Sequence, residues 1–233
     1  TEGSFFSFLS NNNQYSREKL VGDIETLESF YRDRGYLKFS IESSQISLSR
    51  DKKSIFVTFN VNEGQKYTVN DVSLVGEIPF EEEVYIEIIE SLKNETYSQA
   101  QITSIEEFFV NVLGNRGYAF AEVSGNTDVI DESNKVDLTF LVIPGNKTYT
   151  RKILFTGNYV TQDEVLRREM RQFEGAWSSN NSIEAGKVRL ERLGYFKEVN
   201  VETVPVVGTE DEIDIIYSVE EETTGSVGGN LGY

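Results

Sequence analysis

A short signature closes three helix-like runs in this chain: Arg34-Gly35-Tyr36, Arg116-Gly117-Tyr118 and Leu193-Gly194-Tyr195. Each leads into a segment that alternates polar and apolar residues. The glycines stand 82 and 77 residues apart (117 − 35 and 194 − 117), so a unit of about eighty residues recurs. That period constrains the chain to a tandem array of small modules, which favours an extended binding surface over one buried active site. Each unit is small for a self-sufficient core, so contacts at the joints should matter to stability.

The second repeat is the most complete. Lys66 to Gly76 alternates and ends at a glycine, as a strand running into a loop does. Val84, Ile88 and Leu92 follow at helical spacing, and Ser98-Gln99-Ala100-Gln101 reads as a capping box opening a second helix. Ile102, Ile105, Phe109 and Leu113 form that helix's inward stripe. Gly117 stops it, because a left-handed cap residue is needed there and glycine has no Cβ to clash. A short strand is predicted from Tyr118 to about Val123, and a last, doubly covered strand over Val136 to Val142.

The third repeat runs the same way. Its first strand spans Thr150 to Asn158, and Thr161-Gln162-Asp163-Glu164 reads as a capping box for a helix with Leu166, Met170 and Phe173 inward. Ile183, Gly186, Leu190 and Leu193 make the second helix's stripe, and Lys197 to Val204 and Ile213 to Val219 close a hairpin. In the first repeat, Leu20, Ile24, Leu27 and Tyr31 form the second helix, and Phe39 to Leu48 pairs with Ile55 to Val61. Its first strand would fall before residue 1, leaving Gly3 to Asn13 as a remnant around the first helix. The aromatics Tyr36, Tyr118, Tyr195 and Phe196 are expected in module cores, and Trp177 in a core or a joint.

The fold class is therefore α+β: tandem β-α-α-β-β modules, each a three-stranded mixed sheet covered by two helices. The boundaries fall at residues 1–65 (a partial module), 66–146 and 147–222. Residues 223–233 form a glycine-rich alternating tail that suits the start of a barrel strand, with a flexible linker as the other reading.

Composition narrows the functions. The net charge of −17 excludes the basic footprint of a nucleic-acid binder. Cysteine and histidine are both absent, which removes thiolate and imidazole metal sites, His-dependent triads and the commonest general base. The acidic clusters Glu81-Glu82-Glu83, Glu106-Glu107 and Glu220-Glu221-Glu222 lack the spacing of a calcium loop, and nothing in the sequence proposes the two carboxylates across a cleft that a glycosidase needs. No catalytic, cofactor-binding or metal-binding residue is expected, and the chain is read as a non-enzyme.

The strand-helix-helix-strand-strand order resembles POTRA (polypeptide-transport-associated) domains. Asp33-Arg34-Gly35-Tyr36, Gly64-Gln65-Lys66-Tyr67, Tyr149-Thr150-Arg151-Lys152-Ile153 and Val165-Leu166-Arg167-Arg168-Glu169-Met170-Arg171-Gln172, on through Glu174-Gly175-Ala176-Trp177, are similar to the last three such domains of BamA-type outer-membrane assembly factors. Thr224-Gly225-Ser226 resembles the start of that family's first barrel strand. The resemblance implies a location on the periplasmic side of a Gram-negative outer membrane, on a chain that continues into a β-barrel. It implies no cofactor, and as partners unfolded outer-membrane protein clients and BamB-like and BamD-like lipoproteins. A TamA-like barrel, a two-partner secretion transporter or an adhesin-like stalk stay as alternatives.

Two surfaces follow. If the last strand of each module is central, the second is an edge whose open backbone groups can take a visiting strand. In the first repeat that edge is Ser40, Ile41, Glu42, Ser43, Ser44, Gln45, Ile46, Ser47 and Leu48, with small polar side chains that leave the backbone approachable. The resemblance assigns it to a BamB-like lipoprotein or a client strand; otherwise it is a solvated edge. In the third repeat, Arg167, Arg168, Glu169 and Arg171 surround Leu166 and Met170 on one helix. The resemblance points this basic cluster at a BamD-like lipoprotein or the barrel rim; otherwise its charges pair along the helix. Glu169 is expected on an exposed helical face, where charge reversal would leave folding intact.

Overall fold

The computed structural model describes residues 17–51 and 54–222. The expected helix remnant at Gly3 to Asn13 and the tail at residues 223–233 lie outside the described residues. The elements run α1 (Arg17–Arg32), β1 (Ser40–Leu48), β2 (Ile55–Asn62), β3 (Thr68–Gly76), α2 (Ile86–Leu92), α3 (Gln99–Gly114), β4 (Glu122–Ile130), β5 (Lys135–Ile143), β6 (Tyr149–Thr156), α4 (Asp163–Arg167), α5 (Asn180–Glu191), β7 (Phe196–Pro205) and β8 (Glu212–Glu221). Mixed α+β architecture is thus the observed class.

Three sheets result: β1-β2, β3-β5-β4 and β6-β8-β7. The last strand of each three-stranded sheet is central, as its apolar content predicts. On β5, Val136, Leu138, Phe140 and Val142 are buried while the residues between them are half-buried. On β8, Ile213, Ile215, Tyr217 and Val219 are buried, with Asp214 and Ile216 half-buried and Ser218 exposed between them. A strand flanked on both sides and covered on its faces needs this pattern. β6 runs parallel to β8 and β7 antiparallel to it, which makes the sheet mixed. β1 pairs antiparallel with β2, with a bulge between Ile41 and Ser43.

Several local expectations fail. The strand after Gly117 begins at Glu122 rather than Tyr118, because Tyr118 to Phe120 form a turn in which Ala121 N–H donates to Tyr118 O (3.2 Å). The run through Val84 is broken into a 3-10 turn over Glu82–Val84 and the separate α2. Thr161 does not cap α4: Gln162 stands at that position without a side-chain bond. Ser98, by contrast, does cap α3, accepting from Gln101 N–H at 3.3 Å. Phe173 and Tyr195 are exposed rather than inward.

The chain divides into two compact units, one of Thr1–Gly76, Phe80–Glu107 and Ser124–Leu141, the other of Glu77–Pro79, Phe108–Val123 and Val142–Tyr233. In the first, Tyr31 stacks on Phe39 with ring centroids 4.1 Å apart, and its hydroxyl donates to Glu63 (3.0 Å). In the second, Leu166 and Met170 pack with Ile183 and Leu190 of α5 against the inner residues of β8. Tyr217 is fully buried there, and its hydroxyl is satisfied by donating to the Ile183 carbonyl at 2.7 Å. That burial pushes the phenol pKa far above its ordinary value.

The signature glycines do more than stop helices. In the first unit Tyr36 N–H donates back to Tyr31 O (3.1 Å), and Gly35 takes φ +94° to allow it. The Gly35 carbonyl then accepts from Tyr67 N–H (2.8 Å), the residue that leads into β3. In the second unit Tyr118 N–H donates to Leu113 O (3.1 Å), and the Gly117 carbonyl accepts both N–H (2.8 Å) and hydroxyl (3.0 Å) of Thr148, just before β6. Two residues earlier, Asp33 accepts from Ala100 N–H (2.8 Å) at the start of α3, and Asn115 accepts from Asn181 N–H (2.7 Å) at the start of α5. The first two signatures therefore each cap one helix with the glycine and another, in the following repeat, with the side chain two residues before it.

Beside the first of these joints, Asp131 accepts from the Tyr67 hydroxyl (2.7 Å) and from the Lys38 ammonium. The Lys38 bond, then the Tyr67 bond, holds the Asp131 carboxyl below its usual range. Such a carboxyl stabilises the fold above its unfolded value, about 4, and loses that contribution as pH falls through the lower folded value. Asp131→Asn should accordingly flatten the acid limb of the first unit's urea-midpoint-versus-pH curve.

A Cβ on Gly35 would stand 2.8 Å from Thr96 Cγ2 and 3.0 Å from Tyr67 O. Gly35→Ala should cost the first unit about 2–4 kcal/mol, combining left-handed strain with overpacking. Gly22→Ala, in α1 with open space around it, should instead gain about 0.5–1 kcal/mol in the same urea titration.

Candidate partner-binding edge and basic cluster

β1 is hydrogen-bonded along one side, in register from Ser40↔Asn62 to Leu48↔Ile55. Among the described residues no strand pairs with its other side. Ile41 is half-buried and every other residue of β1 is exposed, including the apolar Ile46 and Leu48. The nine predicted residues thus lie together on one edge strand.

Two other edges, those of β4 and β6, are partly occupied by side chains. On β4, Gly125 N–H donates to the Glu106 carboxylate of α3 at 2.5 Å. The absence of a side chain makes the approach possible, since a Cβ there would lie 2.7 Å from Ile102 Cγ2. On β6, Ile153 N–H donates to Glu174 (2.8 Å), while Ile153 O accepts from Arg167 Nη2 (3.0 Å). A charged group bonded to the rim of a sheet occupies the groups that a visiting strand would use. The sequence reading missed Glu106 and Glu174 in this role. Glycine in a strand pattern, at Gly125, was the one available signal of a close approach.

The basic cluster is not one exposed helical face. α4 ends at Arg167, and Arg168 is its C-cap. Arg167 is engaged within its own module: besides Ile153 O, it donates to Asp163 (2.6 Å) and Glu174 (3.3 Å), and its guanidinium lies 5.4 Å from the Phe155 ring centroid. Glu169 is a correction to the sequence reading. Its side chain is only 14% exposed, and its carboxylate accepts from Arg189 Nε (3.0 Å) and Nη2 (2.7 Å) of α5. Arg168 Nε lies 3.5 Å from its other oxygen. The pair pins the segment after α4 onto α5, a long-range contact that local helical spacing cannot reveal. Arg168 and Arg171 remain exposed.

Trp177 also sits at a joint rather than in a core. It is partly exposed, stacks on Tyr149 with centroids 3.7 Å apart, and receives the Lys147 ammonium at 4.4 Å from its ring centroid. Among the described residues no group of three or more acidic side chains is placed to hold a metal ion, and no helix is long and apolar enough to cross a membrane; the latter says nothing of β-barrels.

Comparison with known proteins places these features in a family. The POTRA model, described as a surface antigen variable number repeat, matches residues 6–64, 67–145 and 148–222. The chain is 33% identical over 234 residues to the outer membrane protein assembly factor BamA of Neisseria meningitidis, covering all of this chain and 29% of that protein. It therefore spans about a third of the length of such relatives. Its fold is similar to the crystal structure of Haemophilus influenzae BamA POTRA3-5, with a TM-score of 0.80 and 32% identity, covering 90% of this chain and 83% of that one. It is also similar to BamA of Haemophilus ducreyi lacking POTRA domains 1-3 (TM-score 0.61, 36% identity), covering 69% of this chain and 30% of that one.

Because Glu169 is paired and largely covered, Glu169→Lys would set a third cation beside Arg168 and Arg189. A partly buried pair broken in this way should cost about 1–3 kcal/mol, read as a lower urea midpoint of the second unit. Arg171→Glu, at an exposed position, should leave that midpoint unchanged.

Proposed function

This chain belongs to the POTRA family, and we propose that its repeats are the periplasmic scaffold of an outer-membrane β-barrel assembly factor. Its work is non-catalytic: it holds accessory lipoproteins and nascent barrel strands beside the barrel into which the parent chain continues. The similarity to BamA proteins supports the setting. The unpaired rim of β1 supports the mechanism, because a sheet edge offers main-chain donors and acceptors at strand spacing to any extended peptide. Each bond nets about 0.5–1.5 kcal/mol whatever the side chains. This suits clients that share alternating strands and no fixed sequence.

Ser40 to Leu48 is the proposed docking strand for a BamB-like lipoprotein or a client strand. Exposed Ile46 and Leu48 add apolar contact at its far end. In the third repeat, Arg171 and the exposed Arg168, which also lies beside Glu169, are the cations proposed to meet an acidic patch on a BamD-like lipoprotein or the barrel rim. Arg167 and Glu169, committed to their own module, position that segment.

Titrating labelled barrel-strand peptides into the chain should shift amide signals along Ser40 to Leu48. Proline at whichever of Ser44 or Gln45 turns its N–H away from β2 should weaken binding about fivefold, the value of one main-chain bond of about 1 kcal/mol. A spectrum that stays silent along β1 would favour the structural stalk instead.

A further inference from the structure

One charge in the second repeat stands where the first and third carry an apolar side chain. Eleven residues before the signature glycines come Ile24, Glu106 and Ile183 (35 − 24, 117 − 106 and 194 − 183). Ile24 is half-buried, and Ile183 is buried among the core residues of its module. Glu106 instead directs its carboxylate to β4, where it accepts from Gly125 N–H at 2.5 Å. The bond needs both residues. One period earlier Ser43 stands in place of Gly125, and a Cβ on Gly125 would press on Glu106 Oε1 at 3.1 Å.

By holding the Gly125 amide, Glu106 denies a visiting strand a main-chain donor in the middle of β4. In other respects β4 has the character of a docking edge. It ends the strand order β3-β5-β4. Ser124, Asn126 and Asp128 are exposed, and strand alternation puts Thr127 N–H on the same rim as that of Gly125. Glu106 and Ser124 to Ile130 all belong to the first compact unit. A peptide carbonyl can replace the carboxylate, but it is the weaker acceptor. The exchange becomes favourable when the released carboxylate gains a cation. Ser124 to Ile130 contains Asp128 and no lysine or arginine, which leaves the visitor to supply one.

We propose that Glu106 is a gate on the β4 rim, closed to neutral strands and opened by an extended peptide that carries lysine or arginine. The visitor's cation pairs with the carboxylate and draws it off Gly125, and a carbonyl of the visitor takes over the amide. Asp128 adds a second negative charge on the same strand. The gate therefore makes β4 selective for cationic strands. The inference rests on strand capture as this chain's work, and not on capture at β1.

Its test is an NMR titration of the 233-residue chain with two alternating peptides, each nine residues long as β4 is. They differ only in carrying lysines or glutamines. The unaltered chain should bind the lysine peptide about fivefold tighter, read from the amides of Ser124 to Ile130, the margin of a charged over a neutral hydrogen bond. Glu106→Ile installs the residue of the other repeats and should bind the glutamine peptide about fivefold tighter than the unaltered chain does. It should bind the two peptides within about twofold of each other. Glu106→Gln keeps an acceptor without the charge and should lose the lysine preference in the same way. Silent β4 amides in all three chains would overturn the inference, as would equal binding of both peptides by the unaltered chain. So would a lysine preference that survives both substitutions, which assigns it to the overall negative charge, or a glutamine peptide bound no tighter after Glu106→Ile. Signals from Ser40 to Leu48 in the same spectra report on β1 separately, so the two readings fail independently.

Discussion

The interaction on which the rest depends is a single peptide hydrogen bond, made by the carbonyl of a helix-capping glycine to the amide that opens the next repeat. A helix must leave its last carbonyls without intrahelical partners. Here the turn that relieves them also presents a fresh acceptor, and Tyr67 or Thr148 meets it. The turn requires positive φ, and the close approach of the following strand leaves no room for a side chain at Gly35 or Gly117. Small sheets backed by a single layer of helices bury too little to be generous with stability. Tying the end of one to the start of another, through backbone and side-chain caps together, offsets that shortage.

The same economy governs the edges. A chain of several short sheets exposes many unpaired rims, each able to associate without selection. Glu106 closes part of β4, and Glu174 with Arg167 closes part of β6. Among the described residues no equivalent plug stands on β1: Ile24 and Ser43 occupy the places that Glu106 and Gly125 hold one period later. Charges that look like a binding patch in the third repeat are largely spent on this closure and on the Glu169–Arg189 pair. A bonded charge thus distinguishes the rims of β4 and β6 from that of β1.

Much of the architecture was legible without coordinates. The period, the strand-helix-helix-strand-strand order, the inward stripe of α3 and the central placement of β5 and β8 all follow from spacing that a reader can count. The β1 edge was legible as well, since its place in the order makes it peripheral. Less legible were features whose partner lies outside the local window. Phe173 fits a helical stripe on paper, but α4 stops at Arg167 and the residue turns outward. Thr161 has the composition of a cap, but its own amide and that of Val160 are drawn to Glu221.

By itself the sequence determined the repeat, the elements and the glycine turns, because periodicity and backbone conformational cost act over a few residues. Tertiary structure alone decided what those turns hold, which edges are stoppered and which charges are free. Those outcomes depend on groups far apart in the chain, Arg167 with Ile153, Glu169 with Arg189, Gly117 with Thr148. Directional bonds between such groups form only where the fold brings donor and acceptor within about 3 Å, and no local pattern of residues encodes that distance.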